Sequence, residues 1–138
     1  MAYQFTKDLE TGNTLIDTEH RKLINAINAL LDACAQGKGR DEIKKMMDFL
    51  KAYTEKHFSD EEGLQLKSKY PGYIDHKSYH EYFKRNVDNL SRRLDQEGPT
   101  VTIVGEINHA LADWFINHIK TQDVKVAAHI RSIESKNN

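Results

Sequence analysis

His57 and Glu61 stand four residues apart in HFSDEE, and His76 and His80 repeat that spacing in YIDHKSYH. Imidazole and carboxylate one turn apart share a helix face, where they can bind protons or hold a metal ion together. His20 in IDTEH and His118 in WFINHIK extend the set to six side chains. Whether they form a site depends on which way their helices face.

The elements that must carry them are long and uninterrupted. Two prolines and seven glycines cluster between stretches without breakers. No stretch alternates with period two long enough for a strand. The pattern predicts an N-terminal arm over 1–14 and helices at about 16–36, 41–68, 74–97 and 100–120. A short, helical C-terminal segment follows over 121–138. Four helices joined by short turns predict an all-α, antiparallel up-down-up-down four-helix bundle, one domain across 1–138.

A 4-3-4-3 rhythm marks the seam of each helix. Ile16, His20, Leu23, Ile27, Leu30 and Cys34 form the first; Ile43, Met47, Leu50, Thr54, His57, Glu61 and Leu64 form the second. The third is His76, His80, Phe83, Val87, Leu90 and Leu94, and the fourth is Val104, Ile107, Leu111, Trp114 and His118. Seams of this kind face the core of a bundle packed at shallow angles. All six candidates therefore point inward. Up-down order also puts the start of the first and third helices at the same end as the close of the second and fourth. The six converge on one layer.

Five imidazoles and a carboxylate buried together cannot satisfy one another, and an unpaired buried carboxylate costs several kcal/mol. A bound cation resolves the conflict, because neutral imidazole and ionised carboxylate are both good ligands. One zinc ion would take about four ligands and strand the rest. Two ions use them all if carboxylates bridge, so a second carboxylate is expected near His118, and Asp123 follows in HIKTQD. Five residues turn about 140° in a regular helix. The helix must therefore loosen or end between His118 and Asp123. The ligand types alone leave zinc and manganese open beside iron.

GNTLIDTEH, HFSDEE, YPGYIDHKSYH and WFINHIKTQD together resemble the hemerythrin family, in its single-domain bacterial form, over essentially the whole chain. The resemblance implies a non-haem di-iron centre, oxo- or hydroxo-bridged, that binds O2 reversibly for storage, delivery or scavenging. His76, His80 and His118 would hold one iron, and His20 and His57 the other. Glu61 and Asp123 would bridge them. That count leaves the open position for O2 on the His20/His57 iron. Phe58, Trp114, Phe115 and Ile119 match positions where the family lines its O2 pocket with apolar side chains. Phe115 stands where leucine is more usual, and Phe5 where many bacterial members carry an early tryptophan.

The remaining chain sets limits. A net charge of −1 with 30% charged residues offers no basic face for nucleic acid. No apolar run approaches the roughly 20 residues that span a bilayer, and MAYQFTKDLETG lacks the pattern of a secretion signal. Cys34 is the single cysteine, which with the rest points to a reducing, cytoplasmic setting. Expected partners are O2 and an O2-accepting oxidase, and the sequence sets no oligomeric state. An O2 or redox sensor module and a di-iron peroxidase or oxidase are the alternatives to a carrier. The carrier reading takes the chain as no enzyme. Glu62, off the seam, is expected at the surface, with support of a neighbouring ligand as the lesser alternative, and His109 and His129 at the surface or partly packed.

Overall fold

Asn13 opens the first long helix by accepting the Ile16 N–H on its side chain at 3.0 Å, satisfying one of the orphan donors every helix start presents. The computed structural model describes residues 3–136, and every regular element among them is helical. After a 3-10 turn at Lys7–Leu9 come α1 (Thr14–Ala35), α2 (Arg40–Lys67) and α3 (Tyr73–Glu97). A fourth run follows as α4 (Val101–Glu106), a π turn (Ile107–Asp113), α5 (Trp114–His118), a second π turn (Ile119–Asp123) and α6 (Val124–Lys136). Residues 1, 2, 137 and 138 of the expected arm and tail lie outside the described residues.

Two of the three long helices stop at a glycine, whereas α2 turns through Lys69 at φ +56°. Gly37 ends α1 with φ +66°, and Gly98 ends α3 with φ +77°; a side chain there would strain a left-handed backbone. α1 packs on α2, α2 on α3, and α3 on α4 and the first π turn, which closes the ring against α1. This is the up-down-up-down bundle.

The fourth run corrects two expectations. A break at residue 120 is absent: backbone angles stay right-handed helical through His118, Ile119 and Val124. The seam is also different. Ile103, Ile107, Leu111, Phe115, Ile119, Asp123 and Ala127 are all fully buried, a strict step of four, whereas Val104 and Trp114 are only half-buried. In a regular helix each step of four drifts about 40° around the axis, so such a stripe would leave the core within a few turns. A π turn holds roughly 4.4 residues and drifts the other way. Two of them hold the stripe on one face.

Among the described residues, the buried apolar side chains form two clusters. The main core contains Leu30, Leu50, Phe83, Val87, Leu90 and Ile107, among others. A smaller cluster of Ile16, Val126 and Ile130, with Leu64 and Tyr70 packed against it, lies at the opposite end of the polar layer. α6 supplies two of the three buried members of this cap, Val126 and Ile130. His129 Nε2 anchors it 2.8 Å from the Ser68 carbonyl, and Arg131 donates to the Thr11 carbonyl. His129 is thus partly packed, while His109 is exposed and paired with Asp113. Phe5, half-buried, packs on the main core under the Arg21 guanidinium, whose carbon lies 4.5 Å from its ring centre.

Candidate metal centre

Polar seam residues differ in whether their own helix can satisfy them. Thr54 is buried, but its hydroxyl donates to the Leu50 carbonyl at 2.7 Å and needs nothing more. The imidazoles of α1, α2, α3 and α5 have no such local acceptor for an inward Nε2. His20, His57, Glu61, His76, His80, His118 and Asp123 are all at most 3% exposed. They meet in one layer between the two apolar clusters.

The seven side chains form two overlapping groups. Glu61, His76, His80, His118 and Asp123 offer ligand atoms within 4.8 Å of one another, and so do His20, His57, Glu61 and Asp123. Only the two carboxylates belong to both. Glu61 turns Oε1 toward His76 Nε2 (2.6 Å) and His80 Nε2 (3.5 Å), and Oε2 toward His57 Nε2 (3.5 Å) and His20 Nε2 (3.9 Å). Asp123 turns Oδ1 toward His76 Nε2 (3.0 Å) and His118 Nε2 (3.1 Å), and Oδ2 toward His20 Nε2 (2.8 Å). Each carboxylate thus presents one oxygen to each histidine group, the arrangement of a bridge between two ions.

Asp123 reaches the layer because the helix widens rather than ends. In the π turn Ile119–Asp123, a five-residue offset from His118 falls roughly 50° from it instead of about 140°. Loosening, one of the two ways anticipated, is how the chain brings the pair together.

The chemistry of the donor set fits a cation. Among the described residues, His57 Nε2, His80 Nε2, Glu61 Oε2 and both Asp123 oxygens find no partner in hydrogen-bond geometry, a costly condition for buried groups. The Nε2 atoms of His76 and His118 lie 3.1 Å apart. Among the protein groups alone, burial and the neighbouring Asp123 charge oppose ionisation of Glu61, but the surrounding imidazoles hold it below the usual carboxylate range. Burial likewise opposes ionisation of Asp123, but the His118 charge and the close ring nitrogens of His118, His20 and His76 pull it well below the usual range. Burial disfavours a charged His76, but Asp123 and Glu61 raise it to about 9. The layer is built around ionised carboxylates and needs positive charge.

Three further polar residues support the layer, and of these the sequence pointed only to Glu62, as the lesser alternative to a surface place. Glu19 is 3% exposed and accepts the His57 Nδ1 proton at 3.0 Å, while Lys56 Nζ holds its other oxygen at 2.9 Å. Burial would raise Glu19, but bonds from His57 and Lys56 bring it to about 2. Glu62, expected at the surface, instead sits mostly buried 2.9 Å from His80 Nδ1. Both carboxylates fix the tautomer that aims Nε2 inward. Gln65, where Leu64 was expected to face the core, donates weakly to Glu61 at 3.4 Å. A sequence signal existed: a glutamate adjoins a candidate ligand at Glu19–His20 and again at Glu61–Glu62. Glu19→Gln is expected to weaken metal binding about 10- to 100-fold while helicity is retained. Competition with a chelator of known affinity reads this directly.

The apolar surroundings divide. Phe115 meets His20 and His57 edge-on, with centroids 5.3 Å and 6.1 Å away. Phe58 lies 5.6 Å from His57 and stacks on His80 at 3.8 Å. Ile119 is buried in the main core. Trp114 stacks on His118 at 4.7 Å and on Phe83 at 5.0 Å, beside the three-histidine group.

Known proteins share this arrangement of sequence and fold. The family described as hemerythrin HHE cation binding domain matches residues 11–130. A bacteriohemerythrin of Pseudomonas paraeruginosa is 36% identical over 124 residues, covering 90% of this chain and 78% of that one. A hemerythrin of Themiste dyscrita is 31% identical over 128 residues, 93% and 94% of the two chains. The solved structure of a hemerythrin point mutant superposes with a TM-score of 0.81 at 26% identity, over 94% of this chain and 98% of the other.

Proposed function

This chain belongs to the hemerythrin family, and from that premise we propose that it binds O2 reversibly at a non-haem di-iron centre. His76, His80 and His118 would hold one iron, His20 and His57 the other, with Glu61 and Asp123 bridging. The supporting observation is the divided aim of the two carboxylates, one oxygen toward each histidine group. When bound, a ferrous pair supplies one electron from each ion to O2 and recovers both on release.

The protein's own contribution is positional. Glu19 and Glu62 orient two imidazoles through Nδ1, so that Nε2 presents its lone pair inward. The ligand count would leave an open position on the two-histidine side, where Phe115, with Phe58 between His57 and His80, would form the wall. Their apolar faces exclude water, which slows loss of the reduced state. Phe115 also borders an apolar crevice lined by Tyr3, Ile24, Ile27, Ala112 and Ile116. Phe115→Leu is expected to open that wall at a stability cost of about 1 kcal/mol. O2 exchange and autoxidation should each quicken several-fold, as stopped-flow mixing and overnight spectra would record.

We read the chain as one domain spanning 1–138 and as a carrier, not an enzyme. Ferritin-like oxidases build their sites from paired Glu-x-x-His motifs and more carboxylates; five histidines and two carboxylates suit retention of O2. Delivery would be to an O2-accepting oxidase. No described helix is long and apolar enough to cross a membrane. A lone cysteine, with its thiol pushed up by burial, suits a reducing cytoplasm.

The test is direct. The chain loaded with iron should contain two ions, and anaerobic reduction followed by O2 should give a visible spectrum that reverses under vacuum. Iron loading without a reversible adduct overturns the carrier reading, and peroxide turnover faster than autoxidation favours an enzyme.

A further inference from the structure

The centre is closed on most sides by apolar packing. Ile16, Val126 and Ile130 cap one end, the main core closes the other, and Phe115 and Phe58 are fully buried against the histidines. A hydrated divalent cation crosses such walls at high cost, because it must shed water with nothing to replace it. Ions must nonetheless reach seven side chains that solvent scarcely touches.

One ligand is placed differently. His118, at 3%, is the most exposed of the seven; Glu61 and His76 are at 1%, and the rest at zero. A cavity of about 250 Å³ opens beside it, lined by Tyr79, Trp114, Asn117, Thr121 and Gln122 as well as His118 itself. Its amide and hydroxyl oxygens are neutral donors of the kind that replace water around a hard cation. Thr121 and Gln122 belong to the second π turn, so the backbone flanking His118 is the least regular among the ligand-bearing helices. The Trp114 ring lies nearly parallel to the imidazole, with 10° between planes, and Tyr79, 40% exposed, meets it edge-on at 6.2 Å. Inward, His118 Nε2 is 3.1 Å from both Asp123 Oδ1 and His76 Nε2.

We infer that this cleft is the ion-uptake route: a divalent cation docks on the oxygens of Asn117, Thr121 and Gln122, and His118 passes it inward. The imidazole swings out along the flat face of Trp114, takes the ion, and returns it to Asp123 and His76. The inference rests on the di-metal reading of the site and adds to it a path and an order of loading, with the three-histidine group filled through His118.

Charge at the mouth tests it, because a cation's approach rate responds to local charge and to salt. The metal-free full-length protein is mixed with Co2+, and uptake is followed by the d–d absorption of bound cobalt, with no O2 chemistry involved. Asn117 is exposed. Asn117→Lys is expected to slow uptake about tenfold at low ionic strength, and Asn117→Asp to accelerate it several-fold. Both effects should shrink toward parity at about 0.5 M salt. Final content should stay at two Co2+ per chain in each variant. The same substitutions at Asn89, an exposed α3 position in a separate surface pocket, should leave the rate unchanged. Equal rates in the two Asn117 variants, equal effects at Asn89, or uptake that keeps pace only with global unfolding would each overturn the route. A chain that takes up Co2+ at an unaltered rate refutes the route alone, whereas one that takes up none refutes the metal centre as well.

Discussion

Glu61→Gln is expected to reduce iron content from two ions per chain to below one and to abolish the reversible O2 spectrum. The substitution keeps the side chain's size and removes only its charge and one ligating oxygen. Glu61 belongs to both ligand groups, with Oε1 serving His76 and His80 and Oε2 facing His57 and His20. The change takes the ligating oxygen from one ion, weakens the neutral oxygen left to the other, and leaves two cations with a single buried carboxylate. Pair affinity should fall about a thousandfold or more, which corresponds to about 4 kcal/mol. Glu62→Gln is the matched comparison one residue away. Glu62 touches only His80 Nδ1, so about 10- to 100-fold is expected, with both ions retained at high iron. Metal analysis and anaerobic oxygenation of the two variants separate a bridge from an orienting partner. If Glu61→Gln still holds two ions and oxygenates normally, the bridging assignment is wrong.

Removing the iron should have the second large effect, on stability. Five histidines and two carboxylates lie in the interior with several atoms unpartnered by protein. Ions that bind only the folded chain stabilise it by mass action. At a thousandfold excess over Kd each contributes about 4 kcal/mol, hence about 8 kcal/mol for two. For a chain of 138 residues this corresponds to a fall in Tm of roughly 25–30 °C on chelation. The loss should be concentrated near the site. α6 is held by the small Ile16–Val126–Ile130 cap rather than by the main core, and of the second π turn Ile119 alone joins the main core. Amide exchange in the metal-free protein should therefore rise first over residues 118–130, while α1 and α2 near Leu30 and Leu50 stay protected. A metal-free Tm within a few degrees of the loaded one would show that the protein groups satisfy one another, contrary to their geometry.

The seam histidines were legible because bundle helices repeat their buried positions regularly. His20, His57, Glu61, His76 and His80 fall on a 4-3 rhythm among Leu, Ile and Phe, and each is buried. Up-down connection then places all of them at one end without any further information. Asp123 was legible only through chemistry, since a ligand count demanded a second bridging carboxylate that helical spacing would have put elsewhere. The fourth run was less readable. Ile103, Ile107, Leu111 and Phe115 follow a step of four, which resembles an ordinary seam over a short window and departs from it only when extended. Nothing local distinguishes a π turn from an α turn, because the choice is settled by what the face must meet.

Glu19 and Glu62 show the same limit from another side. A carboxylate one residue from a seam position faces about 100° away on an ideal helix and reads as surface. It becomes buried only because the neighbouring helix brings an imidazole Nδ1 against it. The apolar cap from α6 could not be seen either, since Val126 and Ile130 meet Ile16 from the far end of the chain.

By itself, then, the sequence determined the helices, their order, the inward-facing ligand types and the end of the bundle where they gather. These follow from periodicity and connection, which act over a few turns. Only the tertiary structure decided how Asp123 joins them, which carboxylates steady the imidazoles, and where the layer meets solvent. Those outcomes depend on the space left between helices far apart in sequence, and there packing overrides local spacing.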